Sequence, residues 1–239
     1  MSDLELSRAA ATAATLANVA SDATMFFTKP VLLTGEKHTL STRNGRDCFR
    51  SALLLLLRMT TEVTIDVSNY PLPSEIQEIV DEYGIHRLTV IPETPPLSGF
   101  AAILNVGTNT APEQPIVAVN AHGWLFRVTS GGVPIDRVCS QYNPIAALAA
   151  AAMGVSEVFK ILIKLQPSRG EFLRGYSYSL WEYGLSAQPG PELPLDIELP
   201  PTVLFGCGAI GNGIVYLLGL LRRRAGSQQS IKMYSRKRT

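Results

Sequence analysis

The sequence predicts an α/β protein with a doubly wound, mainly parallel sheet, and three observations carry that expectation. Between residues 25 and 130, apolar runs of strand length alternate with segments of helical period, the pattern of a parallel sheet covered on both faces. A long alanine-rich helix with two apolar faces follows. Near the end a short strand enters Gly206, Gly208 and Gly211 in G-x-G-x-x-G spacing, and a helix leaves them.

Taken in order, residues 2–21 open on Ser2-Asp3-Leu4-Glu5, a capping box that satisfies the first free N–H groups of an alanine-rich helix. Residues 30–35 form a strand that runs into a long polar loop, and Asp47 starts a buried helix over 48–59. A strand at 63–67 precedes a second capping box, Ser74-Glu75-Ile76-Gln77, whose helix buries Ile76, Ile79, Val80 and Tyr83 before Gly84 stops it. Strands follow at 88–91, 101–106, 116–120 and 124–128. Pro144 opens the long helix at a first-turn position where its missing N–H costs nothing. Leu148, Ala152, Val155, Phe159 and Leu162 make one stripe on it, while Ala147, Ala151, Val158, Ile161 and Leu165 make another. Such a helix must be sandwiched between layers or subunits. A last strand over 176–183 leads to a stiff stretch, 187–201, with five prolines: Pro189, Pro191, Pro194, Pro200 and Pro201.

Composition bounds the function classes. A chain of 239 residues with 46% hydrophobic and 17% charged residues has material for a substantial core. Its net charge of +1 conceals a split, because residues 222–239 carry +7 with no acid and the preceding residues therefore carry −6. With Tyr234 as its one aromatic, that tail is expected to be solvated and poorly ordered, and nucleic acid is not an expected partner. Cys48, Cys139 and Cys207 are widely spaced with no C-x-x-C, so neither a disulfide framework nor a zinc site is expected. The apolar run 52–57 is too short to cross a bilayer and no secretory signal opens the chain, so the expected location is the cytoplasm, with no membrane contact.

The glycine loop is the one segment whose spacing implies a chemistry. The first glycine permits the turn, the second lets backbone approach phosphate, and the third lets the helix pack on its strand, with the phosphate on free N–H groups at the helix start. Gly206, Gly208, Ala209, Ile210, Gly211 and Asn212 are thus the candidate nucleotide-binding residues. A complete site of this kind expects a ribose-binding acid ~20 residues on, yet residues 227–232 hold no carboxylate. Cys207 reads as a small packing residue, since nothing nearby would activate its thiol. His38, His86 and His122 lack ligand spacing, and no metal site or catalytic residue is assigned. Asp66 ends the second strand and reads as a strand-end cap.

Two stretches together resemble the adenylating family of ThiF-type sulfur-carrier activators and ubiquitin-activating enzymes. Residues 203–221 are similar to its opening strand, glycine loop and helix. Cys139-Ser140-Gln141-Tyr142-Asn143-Pro144 through Glu157-Val158-Phe159-Lys160 is similar to its long crossover helix. The resemblance implies a Rossmann-like domain over 1–186 that is inactive, because Thr34-Gly35-Glu36-Lys37-His38-Thr39 stands where the glycines belong. It further implies a proline-rich linker at 187–201, the truncated start of an active copy at 202–221 and a basic tail at 222–239. That order resembles bacterial two-copy relatives, including those associated with antiphage defence. ATP with Mg²⁺ is the implied cofactor, without zinc. The implied partner is a ubiquitin-like or sulfur-carrier protein whose C-terminal carboxylate becomes an acyl-adenylate. A homo- or hetero-oligomer is expected; Arg8 reads by default as a surface arginine, while the resemblance implies a contact with a dimer partner's phosphates as the alternative. The second copy lacks the triphosphate-holding and metal-orienting residues, so the chain alone is expected to be inactive. Two alternatives stand beside this reading: a non-catalytic scaffold for an intact adenylating partner, and an NAD-dependent oxidoreductase.

Overall fold

The computed structural model describes residues 10–16, 23–68, 74–83, 88–93, 95–108, 115–194, 203–205, 209–225 and 232–234. The chain divides into two compact units, Met1–Pro191 and Glu192–Thr239. In the first, helix α1 (10–16) precedes β1 (Val31–Gly35), α2 (Lys37–Leu40), α3 (Arg43–Met59), β2 (Val63–Asp66), α4 (Ser74–Tyr83) and β3 (Leu88–Ile91). Then come β4 (Ala102–Val106), β5 (Ile116–His122), β6 (Leu125–Ser130), α5 (Pro144–Leu162), β7 (Tyr176–Ser179) and β8 (Gly184–Leu185).

These strands form one eight-stranded sheet in the order β3-β2-β1-β4-β5-β6-β7-β8. The first five are parallel, as alternating strands and helices require, while β6, β7 and β8 are added antiparallel to their neighbours. The expected strand at 176–183 thus breaks after Ser179, whose Oγ accepts the Trp181 and Glu182 N–H groups and turns the chain into β8. The main core lies between the sheet and α3 and α5, with Val31, Leu33, Leu104, Val117 and Val119 from the strands meeting Leu53, Leu56, Ala147, Ala151 and Val158. Alternate residues Leu32, Ile103 and Ile116 build a smaller core with Leu97 and Phe100, as the period of two dictates.

The long helix α5 is capped by Asn143, whose Oδ1 accepts the Ile145 N–H at 3.0 Å. At nineteen residues it is long and apolar enough to cross a membrane. Half of it is instead buried within the chain, packed against the sheet and against α3. Close approach to the sheet depends on Gly154, where a Cβ would lie 2.5 Å from Val119 Cγ1. Glu157, fully buried on the same helix, accepts from Lys160 Nζ at 2.6 Å and from the Leu173 N–H at 3.0 Å. Those bonds pin residues 171–174 beside the end of β6, where the Ser130 N–H donates to the Leu173 carbonyl at 2.8 Å.

Three boundaries differ from the sequence reading. The segment read as a long polar loop holds α2, and α3 begins at Arg43 because Thr42 caps it, its Oγ1 accepting the Gly45 N–H at 3.0 Å. Asp47, expected at the helix start, lies inside α3 and accepts from Tyr142 Oη at 2.6 Å. The first part of the proline-rich stretch is bonded to the body: the Trp124 N–H donates to the Pro189 carbonyl at 2.7 Å and its Nε1–H to the Pro191 carbonyl at 2.9 Å. Gly190, at φ +71, makes that fit possible, since a Cβ would come 2.9 Å from Trp124 Cδ1. Residues 195–202 lie outside the described residues.

In the second unit β9 (Val203–Phe205) is followed by α6 (Ala209–Ala225) and β10 (Lys232–Tyr234). The two strands are parallel and pair Val203 with Lys232 and Phe205 with Tyr234. The helix runs past Leu221 to Ala225, and Lys232–Tyr234, within the stretch read as a solvated tail, is a strand.

The packing of α5 yields a test. Gly154→Ala should destabilise the protein by about 1–3 kcal/mol through overpacking against Val119 and Leu104. A urea unfolding curve with an unshifted midpoint would contradict the packing.

Candidate functional site

In an open α/β sheet, ligands bind outside the carboxyl ends of the strands at the point where strand order reverses. Here that point lies between β1 and β4, with β2 and β3 on one side and β5 on the other. The crevice is filled by the chain itself. Glu36 leaves β1 with its N–H on the Val106 carbonyl at 3.1 Å. Its carboxylate then accepts the Thr108 N–H at 2.8 Å and Thr108 Oγ1 at 3.1 Å. Gly107 makes room, since a Cβ there would lie 2.5 Å from Glu36 Cδ.

Helix α2 closes the remainder. Thr39 and Leu40 are buried, and a Cβ on Gly35 would meet Leu40 Cδ1 at 2.7 Å. A Cβ on Gly45 would overlap the Thr39 carbonyl. With the Gly45 N–H on Thr42 Oγ1, that donor at the start of α3 is already used. A carboxylate thus occupies the Thr108 donors beside the turn, and it repels a second anion.

Beside this crevice lies a polar cluster that the sequence reading did not single out. The Asn44 carboxamide donates from Nδ2 to the carbonyls of Gln141 at 2.7 Å, Cys139 at 3.0 Å and Ala121 at 3.3 Å. Its Oδ1 accepts the Asn143 N–H at 2.9 Å. Arg127, only 4% exposed, donates to the Val138 carbonyl at 2.9 Å and to Asp136 at 3.4 Å. Burial pulls its pKa down, and the Asp136 charge offsets part of that. A charged residue amid an apolar strand was the available signal, because an arginine is almost never fully buried without a partner.

Asp66 accepts Thr34 Oγ1 at 3.0 Å and the Ser68 N–H at 2.9 Å, the strand-end cap that was expected. Cys48 and Cys139 are buried thiols whose pKa values are raised, chiefly by burial, so neither is a ready nucleophile. In the second unit, Gly211 is buried in the first turn of α6 and Asn212 is exposed beside it. Ala209 and Ile210 begin that helix. Gly206, Cys207, Gly208 and Arg8 lie outside the described residues.

His122 at the end of β5 gives this cluster a pH signature. Its Nδ1 accepts the Gln141 N–H at 3.1 Å, which requires the neutral ring. Its pKa is lowered by burial first and by the Arg127 charge second, with Asp136 opposing. A lowered folded-state value means that its stabilising contribution is present above the ordinary value of 6.5 and is lost as pH falls below it. Between about pH 7.5 and 5, the urea midpoint should therefore fall more in the wild type than in His122→Gln, whose amide oxygen still accepts from Gln141. Parallel pH profiles for the two proteins would refute this role.

Crystal structures of E. coli MccB share the fold: one with succinimide superimposes at TM-score 0.51 and 10% identity, covering 79% of this chain and 71% of that one. Another, with AMPCPP and selenomethionyl MccA, gives TM-score 0.50 at 10% identity and the same coverage. A search of curated proteins found no match. The family described as the BilD N-terminal domain matches residues 45–180, which span β2 to β7 and both helices of the main core. With more than half of its length inside that match, the chain belongs to the BilD N-terminal domain family.

Proposed function

We propose that residues 1–186 are the non-catalytic copy of a two-copy, ATP-dependent adenylating enzyme, and that residues 202–221 open its nucleotide-binding copy. The contrast between two strand-to-helix junctions carries this reading. After β1 the crevice is filled by Glu36 and α2, whereas after β9 the sequence supplies Gly206, Gly208 and Gly211 ahead of a seventeen-residue helix. The parallel pairing of β9 with β10 supports a strand-helix-strand unit of the nucleotide-binding kind. A nucleotide is further supported by a neighbour of the same fold, E. coli MccB, determined with AMPCPP and MccA.

In the proposed reaction a carboxylate oxygen of a ubiquitin-like or sulfur-carrier protein attacks the α-phosphorus of ATP. Pyrophosphate leaves, and an acyl-adenylate forms. Mg²⁺ would neutralise the developing phosphate charge, and the backbone N–H groups of residues 206–211 would hold the nucleotide. We place this activity in the bacterial cytoplasm, in a dimer where Arg8 reaches the neighbour's phosphates, among enzymes of antiphage defence. Those assignments extend the resemblance carried by residues 139–160 and 203–221. The filled crevice also favours a second reading, a scaffold subunit that positions an intact adenylating partner.

Calorimetric titration of ATP separates the two. The wild type should bind with millimolar affinity, because each absent charged contact removes roughly 1.5–3 kcal/mol. Gly208→Val should abolish binding by blocking backbone approach to phosphate. No exchange of pyrophosphate into ATP is expected from the 239-residue chain. Equal affinity in wild type and Gly208→Val would overturn the nucleotide assignment and leave the scaffold reading.

A further inference from the structure

At the opposite end of the strands from the Glu36 crevice, a cavity of about 160 Å³ opens where β5 begins and β6 ends. Pro115, Ile116, Ile161 and Phe172 give it an apolar floor, and Ser130, Gly131 and Arg174 complete its lining. Its capacity matches the engineered protein cavity of ~150 Å³ that takes up benzene, so one ring or one branched aliphatic side chain fills it.

Arg174 is the only charged group in that lining. Among the described residues its guanidinium has neither a hydrogen-bond nor an ion-pair partner. The nearby acid does not neutralise it: Glu157 is committed to Lys160 at 2.6 Å, to the Leu173 N–H at 3.0 Å and to Ser130 Oγ at 3.3 Å. Ser130 Oγ also lies 3.0 Å from the Leu173 carbonyl, so it is not a spare donor. The same bonds hold the backbone before Arg174, because Lys160 Nζ reaches the Glu171 carbonyl at 2.8 Å. A fixed apolar cup with one unpaired guanidinium at its mouth discriminates by both size and charge.

We propose that this cavity binds a carboxylate that carries one compact apolar group, with the apolar group on Ile116, Ile161 and Phe172 and the carboxylate on Arg174. Two sources share that chemistry: the C-terminal residue of a polypeptide and a small free carboxylic acid. The inference is independent of the nucleotide reading, since no residue of the cavity belongs to the second unit.

The test is titration of the full 239-residue protein, followed by NMR, with 3-phenylpropanoate, its neutral amide, and N-acetyl-Gly-Gly-Phe as free acid and as C-terminal amide. Millimolar binding of at least one acid is expected, with the matching amide about fivefold or more weaker. Arg174→Gln should bring the acid down to the level of the amide, while the exposed, unpartnered position leaves the unfolding midpoint unchanged. Tighter binding of the peptide acid identifies a polypeptide C-terminus, and tighter binding of 3-phenylpropanoate identifies a small acid. Equal binding of acid and amide, unaltered acid binding in Arg174→Gln, or no binding by either acid would overturn the proposal.

Discussion

The Asn44 carboxamide ties together the elements on which the first unit depends. It sits in the first turn of α3, yet its partners are the end of β5, the segment after β6 and the start of α5. Two N–H hydrogens face three carbonyls, so the longest contact, to Ala121 at 3.3 Å, shares a hydrogen with one of the others. The bonds to Ala121, Cys139 and Asn143 are buried by the meeting of two helices over one sheet. Left unpaired, a buried carbonyl or N–H costs about 1–3 kcal/mol. A single side chain therefore bonds four backbone groups, of which the Gln141 carbonyl also accepts the Gly123 N–H, and it does so only when α3 and α5 start side by side.

That constraint propagates outward. With α5 fixed against α3 and lowered onto the sheet at Gly154, Glu157 reaches residues 171–174 and delivers the chain to β7. The antiparallel strands β6, β7 and β8 then extend the sheet and present Trp124 and Trp181, whose ring centroids lie 5.6 Å apart, to the Pro189-Gly190-Pro191 segment. The indole N–H that a half-buried tryptophan must satisfy finds its acceptor on Pro191. The end of the first unit is therefore fastened by hydrogen bonds rather than by proline stiffness alone.

Much of this architecture was legible because local patterns sufficed. The strands at 31–35, 63–66, 88–91, 102–106 and 116–122 announce themselves as apolar runs between turn signals, and Pro144 marks α5 to the residue. The missed features depend on partners far away in sequence. Arg43-Asn44-Gly45-Arg46 is polar and contains a glycine, so it reads as loop; only the Thr42 cap and the close Thr39 carbonyl make it helix. The role of Asn44 rests on groups up to 99 residues distant. The parallel direction of the first five strands was legible from their alternation with helices, but the antiparallel direction of β6, β7 and β8 was not, since both kinds of strand share the period of two. At the candidate site, the missing glycine series at residues 34–39 was legible from sequence, but the bonds of Glu36 to Thr108, 72 residues away, were not.

The two strand-to-helix junctions explain how one topology supports opposite chemistries. A glycine loop leaves backbone N–H groups free because nothing else fills the turn, and a nucleotide then supplies the missing acceptors. After β1 the chain supplies its own acceptor: the Glu36 carboxylate takes the Thr108 donors, and α2 fills the volume that a sugar and phosphate would claim. At such a junction the Gly45 and Thr108 N–H groups are already bonded within the chain, so neither is free for a ligand. Removing Glu36 alone would not restore a nucleotide site, because Thr39 and Leu40 still occupy the crevice and Thr42 still caps α3. Closure of this copy is distributed over seven consecutive residues, 36–42, and conversion to a nucleotide-binding loop would require replacing the segment as a whole.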